Sequence, residues 1–513
     1  MAKSSLIKNF GLVSALTIVS RITGFFRDIV FAQFLGASSA ADAFFVAFKL
    51  PNLFRRLTAE GALTNSFLPA YSSIKIKKGF DYALIFAAEI QAILFLLLCI
   101  IVILIQIFMP FIIFFLAPGF QETPERMEAA IEIARFTIPY LPMVSLVALW
   151  SAITNANDDF FSGAFSPIIM NLFLIGSTFL IPFSNNYFNF QAEMIAFPIA
   201  LGILLAGISQ MIFLQIRLRR KRLNPNWNSV LLSKEGKKMW VSFFPAALGA
   251  GIIQINLFVD TILASFLKTG SISWLYYADR VAQLPLGIIG IALGTALLPK
   301  LSDLENRKEF NKIKIELTNA FKIGIFLSVP ATFSILILSQ SIISGLFERG
   351  KFLESDVNET SNALICYSGG LLAFIFIKII QPPIYAMKKS FFILKVSIST
   401  IFLNVTLSVI LMKFLDHVGI ALATSIAAWF GFVLHFIFLV KNKRINFDFL
   451  KFLKKTIFAS FILSIILYYI NNNYNFFISN KTLNLFVTVL LGTIIYFVIM
   501  ALLGVRKKSD IIT

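Results

Sequence analysis

Long apolar blocks recur along the whole chain and constrain its fold more than any other feature. Each block is roughly 20–30 residues long, the length at which an α-helix crosses a bilayer. The 513-residue chain is 58% hydrophobic and only 14% charged, whereas soluble domains are about 45–50% apolar and about 25% charged. Ten-residue segments of alternating polarity, typical of membrane β-barrels, do not recur. We therefore predict an all-α polytopic membrane protein.

Basic clusters alternate with charge-poor loops and predict the orientation of the chain. The charge-poor loops lie near 36–41, 110–125, 184–192 and 471–480, and the basic clusters lie at Lys75–Lys78, Arg217–Arg222, Lys234–Lys238, Lys300–Lys314, Lys388–Lys389, Lys441–Lys455 and Arg506–Lys508. Loops rich in Lys and Arg stay in the cytoplasm, so both termini are predicted to be cytoplasmic. The net charge of +19 therefore does not predict a nucleic-acid surface, which would not alternate with the apolar blocks.

The apolar blocks correspond to about 14 predicted transmembrane helices. Their expected bounds are 8–35, 41–74, 82–109, 127–155, 163–183, 191–217, 236–267, 272–300, 312–339, 360–386, 391–414, 418–440, 450–470 and 481–504.

An internal repeat divides these helices. The stretch "DIVFAQFLGASSAADAFF" (28–45) aligns without gaps with "DTILASFLKTGSISWLYY" (260–277), so that Asp28 matches Asp260. In both copies a helix with a proline follows and ends near "LPAYS" or "LPKLS". The copies are six helices apart, an even number, which predicts two parallel six-helix lobes with a site between them. We place the lobes at 1–220 and 221–445, with two further helices in 446–513.

Charged residues interrupt the apolar blocks of four predicted helices. At about 100° per residue, Asp42, Lys49, Arg56 and Glu60 fall within about 40° of one another and form a polar stripe on the second helix. Arg55 points elsewhere on a straight helix, but Pro51 disfavours a straight helix. The other charges are Arg21, Arg27 and Asp28 on the first helix, Asp260 on the seventh, and Asp279 and Arg280 on the eighth.

These charges have a structural and a functional interpretation. Structurally, Arg56 pairs with Glu60, and Arg27 pairs with Asp28 or Asp42. A charge at the bilayer centre costs about 3 kcal/mol even on mild scales, so such pairing is favourable, but the cations outnumber the acids. An arginine surplus suits phosphate oxygens, which a guanidinium binds through two parallel hydrogen bonds. The surplus therefore predicts an anionic ligand, a phosphate or diphosphate, between the lobes.

No catalytic motif accompanies the charges. The sequence contains no P-loop, no H-E-x-x-H and no G-x-S-x-G, and its two cysteines lie in apolar runs. We expect no enzymatic activity, no metal site and no cofactor, and hence a secondary transporter.

Several segments resemble the MurJ (MviN) family of lipid II flippases, within the multidrug/oligosaccharidyl-lipid/polysaccharide exporter superfamily. They are "SRITGFFRD", "GASSAADAFFVAFKLPNLFRRLTAEGALTNSFLP", "APGF", "SISWLYYADRVAQLPLGIIGIALGTALLPKLS" and "FERGKF", and the similarity runs over nearly the whole chain. It implies a fourteen-helix transporter that moves lipid II from the cytoplasmic to the periplasmic leaflet by alternating access. It also implies that the last two helices form a groove for the polyprenyl tail, and we expect a monomer.

The resemblance also implies functional residues. The cationic site of the family falls on four arginines, with four further charged residues nearby: Arg21, Arg27, Arg55 and Arg280, then Asp28, Asp42, Arg56 and Glu60. The family favours Arg55 where the helical wheel favours Arg56, and we follow the family because Pro51 undermines the wheel.

A sodium site is implied for some relatives in the second lobe. It falls here on Asp260, Asn404 and Thr424. Ser408 stands where those relatives carry an acidic ligand, so coupling to Na⁺, to H⁺ or to the membrane potential stays open.

Three alternative functions make different demands on the sequence. A flippase for another polyprenyl-diphosphate glycan would share the predicted site. A MATE-like antiporter for cationic drugs is expected to have an acidic cavity, which the arginine surplus disfavours. A membrane glycosyltransferase is expected to have acidic metal-binding pairs at a membrane face. Only "NANDDF" (155–160) resembles such a pair, and we interpret it as a polar turn at a helix end.

Overall fold

The chain is helical throughout its described parts. The computed structural model describes residues 2–58, 62–188, 191–227, 232–474 and 480–505. Within these ranges it contains α-helices, short 3-10 and π-helical turns, and no β-strand. The predicted all-α fold is confirmed.

The helices form two compact units, which divide between Gly270 and Ser271. The helices of the first unit are α1 (Ala2–Leu35), α2 (Ser39–Thr58), α3 (Ala62–Lys78), α4 (Phe80–Ile107), α5 (Met109–Leu116), α6 (Pro124–Thr137), α7 (Tyr140–Asn155), α8 (Phe160–Phe179), α9 (Ile181–Phe188), α10 (Phe197–Arg220) and α11 (Lys234–Ser265). Those of the second unit are α12 (Ser271–Pro285), α13 (Ile291–Asn306), α14 (Phe310–Phe347), α15 (Glu354–Ala386), α16 (Ser390–Lys441), α17 (Phe449–Tyr474) and α18 (Lys481–Leu502).

Nine helical segments of the described chain are long and apolar enough to span a membrane. One of them, α16, has 52 residues and contains a non-helical residue, Asp416, with φ 48° and ψ −134°. This break lies between the predicted spans 391–414 and 418–440, so α16 comprises two helices. The predicted total of fourteen stays a prediction.

The two copies of the repeat inferred from the sequence form the same local structure. Asp28 lies on a helix that ends at Leu35, and the next helix begins at Ser39. Asp260 lies on a helix that ends at Ser265, and the next begins at Ser271, which is the position that the ungapped alignment pairs with Ser39. Each copy therefore forms a long helix, a short turn and a second helix containing a proline.

The core of the first unit joins α11 to the preceding helices. Phe67 and Phe86, from α3 and α4, stack with ring centroids 5.7 Å apart. Met239 and Trp240 of α11 lie in the same buried cluster, so α11 packs with the helices that precede it. The predicted lobe boundary at 220 was inferred from the repeat in the sequence. Helix packing does not test that inference, so the boundary stays a prediction.

One predicted loop is wrong. The stretch 110–125 is expected to be a loop, but it contains most of α5 and a 3-10 turn over Pro118–Glu122. The apolar run "MPFIIFFL" forms α5 because Pro110 suits the first turn of a new helix. The predicted span 127–155 agrees with one candidate membrane-spanning segment, Pro124–Asn155, but within it the helix divides into α6 and α7, and Pro139 precedes α7.

Candidate functional site

Arg27 lies on α1 within a polar cluster of the first unit. Its Nε and Nη2 donate to Oδ1 of Asp28, at 3.1 and 2.7 Å. Its Nη1 donates to Oδ1 of Asn171 on α8, at 3.1 Å. The Arg27 side chain is 11% exposed and that of Asp28 only 3%. The predicted pairing of Arg27 with Asp28 is therefore present, and a neutral amide from another helix also contacts Arg27.

Arg55 is held by a neutral partner on its own helix. Its Nε and Nη2 both donate to Oδ1 of Asn52, at 3.1 and 3.0 Å, because residues three apart are neighbours on a helix surface. Helix α2 continues through Pro51. Lys49 lies half-buried on the same helix. Of the other predicted site residues here, the Arg56 side chain and Glu60 lie outside the described residues.

Asp42 lies inside the fold. It is fully buried, as is Arg126 of α6, and Nη2 of Arg126 donates to its Oδ2. The backbone N–H of Gly270 donates to the same oxygen at 2.8 Å. The Arg126 guanidinium also lies 3.8 Å from the centre of the Phe120 ring. These contacts give Asp42 a structural role, joining α2 to α6 and to the turn before α12.

Two other predicted arginines differ in their surroundings. Arg21 is exposed on α1. Arg280, in the second unit, is half-buried on α12. Its Nη2 donates to the Tyr276 hydroxyl at 3.2 Å, and its guanidinium lies 4.7 Å from the centre of the Tyr276 ring. The neighbouring Asp279 accepts a hydrogen bond from Gln283.

The predicted ion-coupling residues are distributed over both units. Asp260 lies half-buried near the end of α11, in the first unit. In the second unit, the Thr424 hydroxyl donates to Oδ1 of the buried Asn404 at 3.3 Å. Ser408, one turn beyond Asn404, is fully buried, and its hydroxyl has no hydrogen-bond partner in the described structure. Hard cations such as sodium prefer oxygen ligands. The side chains of Asn404, Ser408 and Thr424 on α16 offer ligand atoms of this type.

The "NANDDF" turn is an ion-pair site. Arg217 and Lys221, at the end of α10, approach Oδ2 of Asp159 to 2.9 and 3.0 Å, and Ser162 donates to the same oxygen at 2.9 Å. Burial raises the pKa of Asp159, but the hydrogen bonds of Lys221 and Ser162 and the charge of Arg217 outweigh it, so the pKa lies below its ordinary value. The predicted polar turn between two helices is confirmed.

Sequence reasoning missed two polar residues. Asn171, 6% exposed on α8, contacts Arg27, and the signal was an amide within an apolar helix. Lys378 lies in the last third of α15, beside Gly290 and Gly294. The lone lysine in an apolar run was the signal, since charges within membrane spans are rare and face water or protein.

Comparison with known proteins identifies the family. The family model described as lipid II flippase MurJ matches residues 31–502. The chain belongs to the MurJ family. A probable lipid II flippase MurJ of Rickettsia prowazekii is 35% identical over 493 residues, which are 95% of each chain. One from Buchnera aphidicola of Schizaphis graminum is 34% identical over 98% of each chain.

Solved structures support the same assignment. A lipid II flippase MurJ in an inward closed conformation matches with a TM-score of 0.80 and 28% identity, over 96% of this chain and 98% of that one. An inward-facing MATE transporter of the MOP superfamily matches with a TM-score of 0.67, over 83% and 99% of the two chains, but at 17% identity. The latter shows a shared fold. The chain is a multi-pass bacterial membrane protein of the MurJ family.

Proposed function

We propose that this protein is a lipid II flippase, which moves the undecaprenyl-diphosphate-linked peptidoglycan precursor from the cytoplasmic to the periplasmic leaflet by alternating access. Its relatives carry that name over nearly the full chain length. The observation that carries the proposal is the way three arginines are held. Arg27, Arg55 and Arg280 each donate to a neutral side chain, Asn171, Asn52 and Tyr276 respectively, and Arg27 is also paired with Asp28.

A neutral partner orients a guanidinium and adds no negative charge of its own. Asn52 holds Arg55 through two N–H groups and adds no negative charge. Tyr276 holds Arg280 through its hydroxyl and the face of its ring. The diphosphate of lipid II presents acceptor oxygens and negative charge, and charge-assisted hydrogen bonds to it are about twice as strong as neutral ones. The oriented arginines therefore suit a polyprenyl diphosphate.

Transport follows if the contacts between the arginines and the diphosphate form on one side of the membrane and break on the other. The arginines bind and orient the diphosphate, so the charged headgroup crosses without entering the hydrocarbon core, where a charge is costly. The two predicted lobes, 1–220 and 221–445, would supply the elements that rearrange. The helices of 446–513 would carry the polyprenyl tail along the protein surface.

We further propose that ion coupling involves Asp260 of the first unit and, if the ion is sodium, the neutral oxygens of Asn404, Thr424 and Ser408 in the second unit. One carboxylate holds sodium more weakly than two, so a proton or the membrane potential can supply the drive instead. Transport should survive the removal of sodium but fall in Asp260→Ala. Strict sodium dependence would show that one carboxylate suffices, and full activity of Asp260→Ala would exclude a role in coupling.

A flippase for another polyprenyl-diphosphate glycan is the second candidate, because the arginines bind the diphosphate and do not read the sugar. The MATE-like antiporter has less support: the similarity to MATE transporters is one of fold, and cationic drugs are repelled by oriented arginines.

The deciding experiment replaces Arg55 in cells depleted of their own flippase. Arg55→Ala should abolish growth and leave lipid II in the inner leaflet, and Arg55→Lys should be impaired because an ammonium cannot reproduce the planar fork. Arg307→Ala is the matched control, since Arg307 forms an exposed surface pair with Asp303. Normal movement of lipid II in Arg55→Ala would refute the proposal, as would accumulation of a different polyprenyl glycan on depletion.

A further inference from the structure

Asn171 connects two helices at the Arg27 cluster. Its Nδ2 donates to the backbone oxygen of Ser20 and to the hydroxyl of Thr23 on α1, at 3.1 and 3.2 Å. These bonds turn its Oδ1 toward Arg27, which donates to it at 3.1 Å. The amide is 6% exposed, so packing between α1 and α8 restricts it to this orientation.

The Arg27 guanidinium is consequently fixed at two places. Asp28 binds Nε and Nη2 at one edge, and Asn171 binds Nη1. Two anchors on different helices define the plane of the group, whereas Asp28 alone, the next residue of the same helix, would let that plane swing with α1. A phosphate recognised through two parallel N–H groups requires a fixed guanidinium plane.

The chemical type of the anchor also matters. Arg27 and Asp28 together carry no net charge. An amide adds an acceptor and leaves this balance unchanged, while a carboxylate at the same position would make the cluster negative and repel an anion.

We propose that Asn171 is a positioning residue for anion binding: it fixes the plane of the Arg27 guanidinium for the diphosphate and adds no negative charge to the Arg27–Asp28 pair. This inference rests on the proposed function. It assigns to α8 a part in recognising the diphosphate.

The test measures binding of undecaprenyl diphosphate to the purified full-length protein in detergent, beside thermal stability. Asn171→Ala should weaken binding roughly tenfold to a hundredfold, the worth of a hydrogen bond to a charged group. Asn171→Asp should bind more weakly still, although it retains the contact with Arg27 and should be at least as stable as Asn171→Ala. A purely structural role predicts the reverse order, with Asn171→Asp the better binder.

Two further variants isolate the effect. In an Arg27→Ala background, Asn171→Ala should cause no further loss of binding, because the residue acts through Arg27. Gln91→Ala is the matched control: Gln91 is another buried amide of the first unit, and it accepts a hydrogen bond from Trp150 at 2.6 Å. It should lower stability and leave binding unchanged.

The outcomes separate the two proposals. If the unmodified protein binds undecaprenyl diphosphate and Asn171→Ala binds it equally well, the positioning role is refuted and the proposed function stands. If the unmodified protein does not bind it, the proposed function fails and the positioning role with it. Additive losses from Arg27→Ala and Asn171→Ala would also overturn the inference.

Discussion

The buried pair of Asp42 and Arg126 allows a quantitative prediction. Asp42 is 0% exposed and Arg126 3%. Removing one member of a buried ion pair costs about 3–5 kcal/mol, because the other charge is left uncompensated. Asp42→Ala also deprives the Gly270 N–H of its acceptor, which adds about 1–3 kcal/mol. We therefore expect a loss of about 4–8 kcal/mol in the free energy of unfolding, about a thousandfold or more in the equilibrium constant.

A double variant tests the origin of this loss. Asp42→Ala with Arg126→Met removes both charges and lets a thioether pack on Phe120, where the guanidinium lies 3.8 Å from the ring centre. Only the cost of the Gly270 N–H without its acceptor should remain, about 1–3 kcal/mol of the free energy of unfolding. The double variant should therefore be more stable than Asp42→Ala alone.

Titration of the purified protein with SDS in mixed micelles measures the unfolding midpoint. Arg307→Ala, which breaks an exposed pair, should change the midpoint little. A double variant no more stable than Asp42→Ala would refute the coupling between the two side chains. If Asp42→Ala is as stable as the unmodified protein but fails to bind undecaprenyl diphosphate, Asp42 acts on the substrate, as the resemblance implied.

Three further predictions concern orientation, backbone strain and pH. In a cysteine-free background, cysteines at 38 and 188 should react with an impermeant thiol reagent from outside and one at 221 should not; the reverse pattern would invert the topology. Asp416→Gly should raise the free energy of unfolding by roughly 1 kcal/mol, because φ 48° is strained for a residue with a Cβ, and Asp416→Val should lower it. A loss of stability in Asp416→Gly would show that the Asp416 side chain itself stabilises the fold. The pKa of Asp159 is lowered in the folded protein, so its stabilisation is present above the ordinary value near 4 and is lost as the pH falls through the lower folded value. Asp159→Asn should therefore reduce the dependence of stability on acid pH, and an unchanged profile would contradict the assignment.

Local patterns in the sequence predict much of this fold. The apolar blocks indicate the helices, and the repeat gives the turn after Leu35 and its counterpart after Ser265. The break near Asp416 is also predicted, since both flanking blocks are long enough to span. The division between α6 and α7 was missed because the apolar run continues through Pro139.

Long-range partners could not be predicted from periodicity. A helical wheel places Asp42 on the polar stripe of α2, but Arg126 lies 84 positions away, on a helix whose packing the sequence does not state. For the same reason Asn171, 144 positions from Arg27, was not linked to it. The Arg27–Asp28 pair was predicted because the two residues are adjacent.

The two copies of the repeat share a backbone pattern but not a charge pattern. Asp28 and Asp260 match, yet Val259 precedes Asp260 where Arg27 precedes Asp28, and the stretch "LGIIGIALGTAL" of the second copy carries no charge where the first has "RRLTAE". Apart from Arg280, the predicted cationic site residues belong to the first lobe, 1–220. If both halves of a carrier bound the substrate equally, the contacts of both halves would have to break together in every transport cycle. A duplicated carrier that binds the anion mainly with one half leaves the other half free to move first. The two halves would then share a fold but differ in role, one binding the anion and the other moving.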